Sequence, residues 1–160
     1  MSQRIIHIDR PQNAAEIEAV KALFLEYANS LGFSLCFQGF DEEMATFPAK
    51  YSPPTGGLLL AKVDGVPAGA VGVWQQSPGI CEMKRLYLKP EFRGLELGRR
   101  LAERIVEEGR RLGYRAIRLD TLQTMVAARA LYARMGFVEV PAYYRNPIEG
   151  AVYMEMPLSP

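Results

Sequence analysis

The run ICEMKRLYL, Ile80–Leu88, holds Glu82, Lys84 and Arg85 between apolar ends. Strict strand alternation would put Glu82 and Lys84 on one face with Leu86 and Leu88, a mixture that suits neither core nor solvent. A broken period of this kind predicts a β-bulge, which re-aims side chains and frees backbone N–H groups. The other reading is an edge strand whose charges reach out to water. Directly downstream, Pro90-Glu91-Phe92 leads into RGLELGRR, residues 93–100, where a helix should begin. A strand, a short glycine-containing turn and a helix N-terminus make an anion site, because unpaired N–H groups and the helix dipole point at the same place. Arg93, Arg99 and Arg100 add positive charge, and Gly94 and Gly98 let a diphosphate approach the backbone. The turn lacks the Lys-Ser/Thr of a P-loop and the three glycines of a dinucleotide-binding turn. A third element is ARALYARMGF, residues 128–137, whose inward helical face would be Ala128, Leu131, Tyr132 and Met135. A buried tyrosine hydroxyl needs a partner, so Tyr132 is either a core residue bonded to a carbonyl or a donor facing a cavity.

Other chemistries find little support. Cys36 and Cys81 stand apart with no C-x-x-C pair, and His7 is the one histidine. That argues against a zinc site and a disulfide scaffold. Nineteen basic residues against 18 acidic ones give a formal charge of +1, which points away from nucleic acid or an anionic membrane as partner. No apolar run approaches the ~18 residues of a membrane span. The N-terminal MSQRIIHIDR has no apolar h-region of a signal peptide, so the expected location is cytoplasmic.

The elements that must position these residues are legible from periodicity and punctuation. A length of 160 residues, with 49% hydrophobic and 23% charged, suits one globular domain over residues 1–160. Residues 5–9 read as a strand. Asn13 caps a helix with Glu16 as its partner, and Ile17, Val20, Phe24, Tyr27 and Leu31 share its core face. Residues 33–57 are aromatic and proline-rich, with a short acidic helix at 41–47; they read as a loop over the core or as a lid over a substrate. Residues 58–63 and 67–74 flank Asp64-Gly65, a hairpin signal. A long helix over 95–112 buries Leu97, Leu101, Ile105 and Leu112, and would carry the solvent-facing pairs Arg99–Glu103, Arg104–Glu108 and Glu107–Arg111. A strand at 116–121, a helix from a Thr124 cap to Met135, and strands at 137–140 and 151–156 follow. The last strand, if exposed, could pair across a homodimer. The order predicts an α/β (α+β) domain with a mixed sheet, antiparallel at its start and with a parallel pair near its centre.

Strand, phosphate turn, helix, strand, and a helix ending L-Y-x-x-x-G-F together resemble the GNAT superfamily of coenzyme A-dependent N-acetyltransferases. The resemblance is strongest over residues 81–137 and fits the order of elements before them. The family's turn reads Gln/Arg-x-x-Gly-x-Gly/Ala. Arg93 matches its first position and Gly98 its last; Glu96 replaces the middle glycine, so its carboxylate must turn outward. Met125 stands where family members often carry an asparagine. The resemblance implies a mostly antiparallel sheet flanked by helices, acetyl-CoA as co-substrate and no metal. Leu86, Tyr87 and Leu88 would pair with the pantetheine as if it were another strand, the Leu86 N–H polarising the acetyl carbonyl. Arg93, Gly94, Leu95, Glu96, Leu97, Gly98, Arg99 and Arg100 would hold the diphosphate. Glu82 would be the general base and Tyr132 the donor to the leaving thiolate. Phe37, Gln38, Tyr143 and Asn146 fall where the acceptor usually binds.

The chemistry is consistent with these residue types. An amine with pKa ~10.4 is neutral only about once in 10³ molecules at pH 7, so a base must take a proton. Neither cysteine is bracketed by a base, which favours direct transfer. The implied acceptor is the primary amine of a small molecule, ahead of a protein lysine or N-terminus. Two other readings are a non-catalytic acyl-CoA-binding module of the same fold and a nucleotide-binding α/β enzyme using the turn at 93–98.

Overall fold

Local signals set the element boundaries. The Asn13 side chain accepts the Glu16 N–H at 2.9 Å and Glu16 Oε1 accepts the Gln12 N–H at 2.8 Å, a reciprocal cap that starts the first helix. Asp64 and Gly65 both have positive φ, 51° and 81°, as the two-residue hairpin turn requires. The computed structural model describes residues 4–32, 34, 35 and 39–158; the expected acceptor residues Phe37 and Gln38 lie outside them. The elements are β1 Ile6–Asp9, α1 Ala14–Ser30, α2 Phe40–Ala45, β2 Gly57–Val63, β3 Val66–Ser77, β4 Ile80–Leu88, α3 Leu97–Arg111, β5 Ala116–Leu122, α4 Val126–Met135, β6 Val138–Val140 and β7 Ala151–Pro157. No helix among them is long and apolar enough to cross a membrane.

The seven strands form one sheet in the order β1-β2-β3-β4-β5-β7-β6. All pairings are antiparallel except β4 with β5. That parallel pair is joined through α3, the crossover that a parallel pair needs. Alternation then divides the core. On one face Leu59, Val71, Val73, Cys81, Met83 and Ile117 pack against Leu97, Leu101, Ile105 and Val106 of α3, with Tyr132 and Phe137 nearby. On the other, Leu58, Leu60, Ala70, Trp74 and Tyr87 pack under Val20, Leu23 and Phe24 of α1 and Phe40 and Met44 of α2.

Several expectations are corrected or narrowed. Glu108 does not sit on a solvated helix face. It is buried and accepts from Arg10 at 2.8 and 3.1 Å and from Arg111 at 2.9 Å, while Arg104 donates to the Ile8 carbonyl. The i,i+4 pairs Arg104–Glu108 and Glu107–Arg111 give way to Arg110–Glu107 and Arg111–Glu108 at i,i+3. α4 starts after Met125 with no side-chain cap from Thr124. β7 lies between β5 and β6, so along Tyr153–Glu155 it offers no free edge for a second copy. Finally, the described part of the 33–57 segment covers core: Tyr51 is 2% exposed and stacks on Trp74 at 5.2 Å. Gly72 makes this approach possible, because a Cβ there would stand 2.5 Å from the Tyr51 ring.

Candidate active site

The mixed face that strict alternation would give β4 does not form, because the strand is bulged as expected. Ala70 pairs with Tyr87 and Gly72 with Lys84, which leaves both Arg85 and Leu86 opposite Val71. Arg85 carries the irregularity, with φ +61°. The extra residue flips the alternation. Glu82, Lys84, Arg85 and Tyr87 face α1 and α2, whereas Met83, Leu86 and Leu88 pack toward α3. The Arg85 guanidinium lies 5.2 Å over the Phe40 ring and donates to Glu43 of α2 at 2.8 Å. Tyr51 donates to the same Glu43 at 2.8 Å, so α2 is clamped to the bulge.

Beyond the bulge β4 leaves β5. Their parallel pairing covers Ile80↔Ala116, Cys81↔Ile117 and Glu82↔Arg118 and then stops. The opening continues into a cavity of about 950 Å³ between β4, β5, α4 and the C-terminal end of α1. Leu86, Tyr87, Leu88, Arg93, Gly98 and Tyr132 all line it, so the structure brings the expected strand, turn and tyrosine together.

The turn at 93–98 presents the start of α3. The first helical bond runs from Arg100 N–H to the Glu96 carbonyl at 3.1 Å, which leaves the amides of Leu97, Gly98 and Arg99 outside the helix ladder. A Cβ on Gly98 would meet only a Leu88 methyl, at 3.5 Å. Arg93 reaches back toward the Leu88 carbonyl at 3.4 Å. Glu96 occupies the left-handed conformation, φ 60° and ψ 19°, that a glycine would take without strain. Its side chain is 72% exposed and pairs with Arg99 at 3.0 Å, so the carboxylate does turn outward. The side chains of the remaining turn residues lie away from the cavity. Leu97 is core, Arg99 lines a separate groove between α3 and α4, and Gly94, Leu95 and Arg100 do not line the cavity.

Tyr132 is buried, its ring 5.8 Å from that of Phe137. Burial, reinforced by Tyr27 and Asp120, raises the pKa of its hydroxyl above the ordinary tyrosine value, so the group keeps its proton at neutral pH.

The opposite wall is charged. Glu82 is buried and accepts from Trp74 Nε1 at 2.9 Å and from the Tyr143 hydroxyl at 2.6 Å. Lys84 Nζ stands 3.6 Å from Glu82 and 3.7 Å from Asp120 of β5, and Asp120 accepts from the Tyr144 hydroxyl at 2.7 Å. Desolvation first, and these carboxylates second, push both tyrosine hydroxyls well above their usual pKa, which holds them as donors. Tyr143 and Asn146, expected beside the acceptor, stand behind this network. Neither lines the cavity; Tyr143 braces Glu82, and Asn146 bonds Tyr144 at 3.3 Å and the Ile148 N–H at 2.8 Å within its own loop. Sequence reasoning missed Asp120, Trp74 and Tyr144. The only signal for Asp120 was an acid inside the strand IRLDTL, which local pattern alone does not connect to β4.

Residues 18–137 match the model of the acetyltransferase (GNAT) family. The chain is 42% identical over 146 residues to an uncharacterized N-acetyltransferase of Schizosaccharomyces pombe, covering 90% of each chain. It superposes on a GNAT-family acetyltransferase of Staphylococcus aureus with a TM-score of 0.76 at 16% identity, over 97% of this chain and 100% of that one. An acetyltransferase of Salmonella typhimurium, solved with its cofactor acetyl-CoA, gives a TM-score of 0.73 at 19% identity, over 96% and 94%. The family match over most of the chain and the Schizosaccharomyces pombe relative over 90% of it agree, and the chain belongs to the acetyltransferase (GNAT) family of acyltransferases.

Proposed function

We propose that this enzyme moves an acetyl group from acetyl-CoA directly to the primary amine of a small molecule. The observation that carries the reading is one cavity shared by the β4 bulge, the start of α3 and Tyr132. The residues suit the co-substrate: Gly98 leaves the backbone of the first α3 turn open to the cavity, and Glu96 keeps its charge away from it. When bound, acetyl-CoA supplies an activated thioester carbon. Unpaired amides and the dipole of α3 hold the diphosphate. The Leu86 N–H, outside the regular β3 register, is assigned to the acetyl oxygen; one such donor is worth roughly 3 kcal/mol of transition-state stabilisation. Tyr132 donates to the departing sulfur. Glu82, with Lys84 and Asp120 beside it, forms the limb that takes the proton from the amine.

A small acceptor fits the cover on that side. α2 is tied to β4 by Glu43–Arg85, and the Tyr114 hydroxyl holds the Thr55 carbonyl at 2.6 Å, so an amine must reach the charged limb beneath an anchored segment. Release of coenzyme A thiol by the purified protein, measured across a panel of amines, tests the reading. Small primary amines should support turnover. Tight binding of acetyl-CoA with no thiol release from any amine would instead mark a non-catalytic acyl-CoA-binding module.

A further inference from the structure

The parallel register ends at Glu82↔Arg118, and the same alternation carried two residues on sets Lys84 against Asp120. They face each other across the opening at 3.7 Å. Both line the cavity with Leu86 and Tyr132, whereas Glu82 does not. The side chain of Asp120 is 17% exposed, that of Glu82 only 5%. Glu82 also has a donor on each oxygen, Trp74 on Oε1 and Tyr143 on Oε2, with the Lys84 ammonium between it and Asp120. A base must come within hydrogen-bond reach of the proton it removes, directly or through one water. Of the two acids, Asp120 is the one with a path to the cavity.

We propose that Asp120 is the catalytic carboxylate that meets the acceptor ammonium and removes its proton, while Lys84 and Glu82 are positioning residues behind it. The assignment rests on the acetyl-transfer reading. The acceptor ammonium gives one proton to Asp120, and the freed lone pair attacks the thioester carbon. The C–N bond forms and the C–S bond breaks. The second proton lost from nitrogen ends on the coenzyme A sulfur by way of Tyr132, and Asp120 returns its proton to water. The products are an amide, coenzyme A thiol and one proton. Lys84 holds Asp120 at the edge of the opening and separates it from the second acid.

The test uses the full chain with acetyl-CoA and four probes: phenethylamine, 1,4-diaminobutane, lysine and a lysine-containing peptide. The best acceptor is carried into the variants. Asp120→Asn keeps the side-chain size and an acceptor for Tyr144 but cannot take a proton. It should lower kcat by ~10²-fold or more while acetyl-CoA affinity stays within about twofold. Asp120→Glu should recover part of that loss, and Glu82→Gln should cost less than Asp120→Asn. An Asp120→Asn enzyme as fast as the parent, or one faster than Glu82→Gln, would overturn the assignment. If Asp120→Asn does not melt cooperatively, Asp120→Glu decides alone. A displaced catalytic carboxylate loses kcat several-fold, on the order of tenfold, whereas a merely structural acid leaves kcat alone. Thiol release from none of the four by wild-type enzyme that binds acetyl-CoA would overturn the transfer reading itself, and this assignment with it.

Discussion

Downstream of its bulge, β4 presents Leu86 and Leu88 to the cavity, turns through Arg93 and runs into α3. That wall is built from one continuous stretch of chain, and its working groups are backbone amides and a helix end. Upstream of the bulge the opposite wall draws Glu82 and Lys84 from β4, Asp120 from β5, Trp74 from β3 and Tyr143 and Tyr144 from the loop before β7. Its working groups are side chains gathered from distant parts of the chain, each satisfied by another. Backbone donors at a helix start exist because the helix does, so little stability depends on what they bind. A buried charged network is different: removing one member leaves the others without partners in a poorly solvated place. Substitutions in the charged wall should therefore cost stability and rate together. Those in the turn wall should cost binding or rate alone.

The largest expected effect is Glu82→Ala. It removes the acceptor of both the Trp74 indole N–H and the Tyr143 hydroxyl and one of the two acids beside the buried Lys84. Loss of one partner of a buried pair costs about 3–5 kcal/mol, visible as a large drop in the urea midpoint. A midpoint close to the wild-type value would break the contrast between the walls. Tyr132→Phe belongs to the opposite pattern. Turnover should fall ~10²–10³-fold with acetyl-CoA affinity unchanged, because the hydroxyl acts only as charge develops on sulfur. If Tyr132 is a plain core residue, the variant keeps its rate and loses ~1–2 kcal/mol of stability.

The same division explains what the sequence could disclose. The bulge was legible because Glu82, Lys84, Leu86 and Leu88 cannot share one strand face, and the turn was legible because Arg93, Gly94 and Gly98 lie between a strand and a helix. Local pattern is enough for a wall made of local chain. Asp120 was not legible, since its meaning comes from a register set after β4 and β5 have already met through α3. Tyr143 was singled out by position alone; its bond to Glu82, 61 residues away, and its place outside the cavity lining were not legible. Glu108 shows the same limit outside the site. Helical spacing placed it in water, and a contact with Arg10, 98 residues distant, buries it.

Gly98→Asp sharpens the turn wall. A side chain and a like charge in the first turn of α3 should weaken acetyl-CoA by about tenfold or more and leave the melting temperature nearly unchanged. Unaltered affinity in a folded variant would place the diphosphate elsewhere. Glu108→Gln supplies the control for buried charge remote from the cavity. Burial alone would raise its carboxyl pKa, but hydrogen bonds from Arg10 and Arg111 prevail and hold it below the ordinary 4.5. A lowered pKa stabilises the fold above the unfolded value, and that stability is lost as pH falls through the folded one. The variant should therefore melt below wild type at neutral pH, by about 1 kcal/mol, and converge with it in acid. Its kcat should not change. A rate loss matching that of Glu82→Ala would erase the distinction between the charged wall and any buried ion pair.

Glu96→Gly carries the smallest expected effect and the finest test of how the turn wall works. Glu96 holds φ 60° and ψ 19° at the residue before α3, a conformation that costs an L side chain roughly 1–2 kcal/mol. Glycine removes that strain but adds backbone freedom in the unfolded chain, worth about 0.5–1 kcal/mol in the other direction. The exposed pair with Arg99 contributes little to the balance. Stability should thus stay level or rise by up to about 1 kcal/mol. Acetyl-CoA should bind as well or somewhat more tightly, since a carboxylate near the diphosphate is gone. Any tightening should fade at higher salt, because exposed charges are screened beyond ~10 Å at 0.1 M. Calorimetric titrations of both proteins at two salt concentrations measure this. Weaker binding by the glycine variant would give Glu96 a constructive part, that of holding Arg99 in place for the phosphates, and the turn wall would then depend on a side-chain network as the charged wall does.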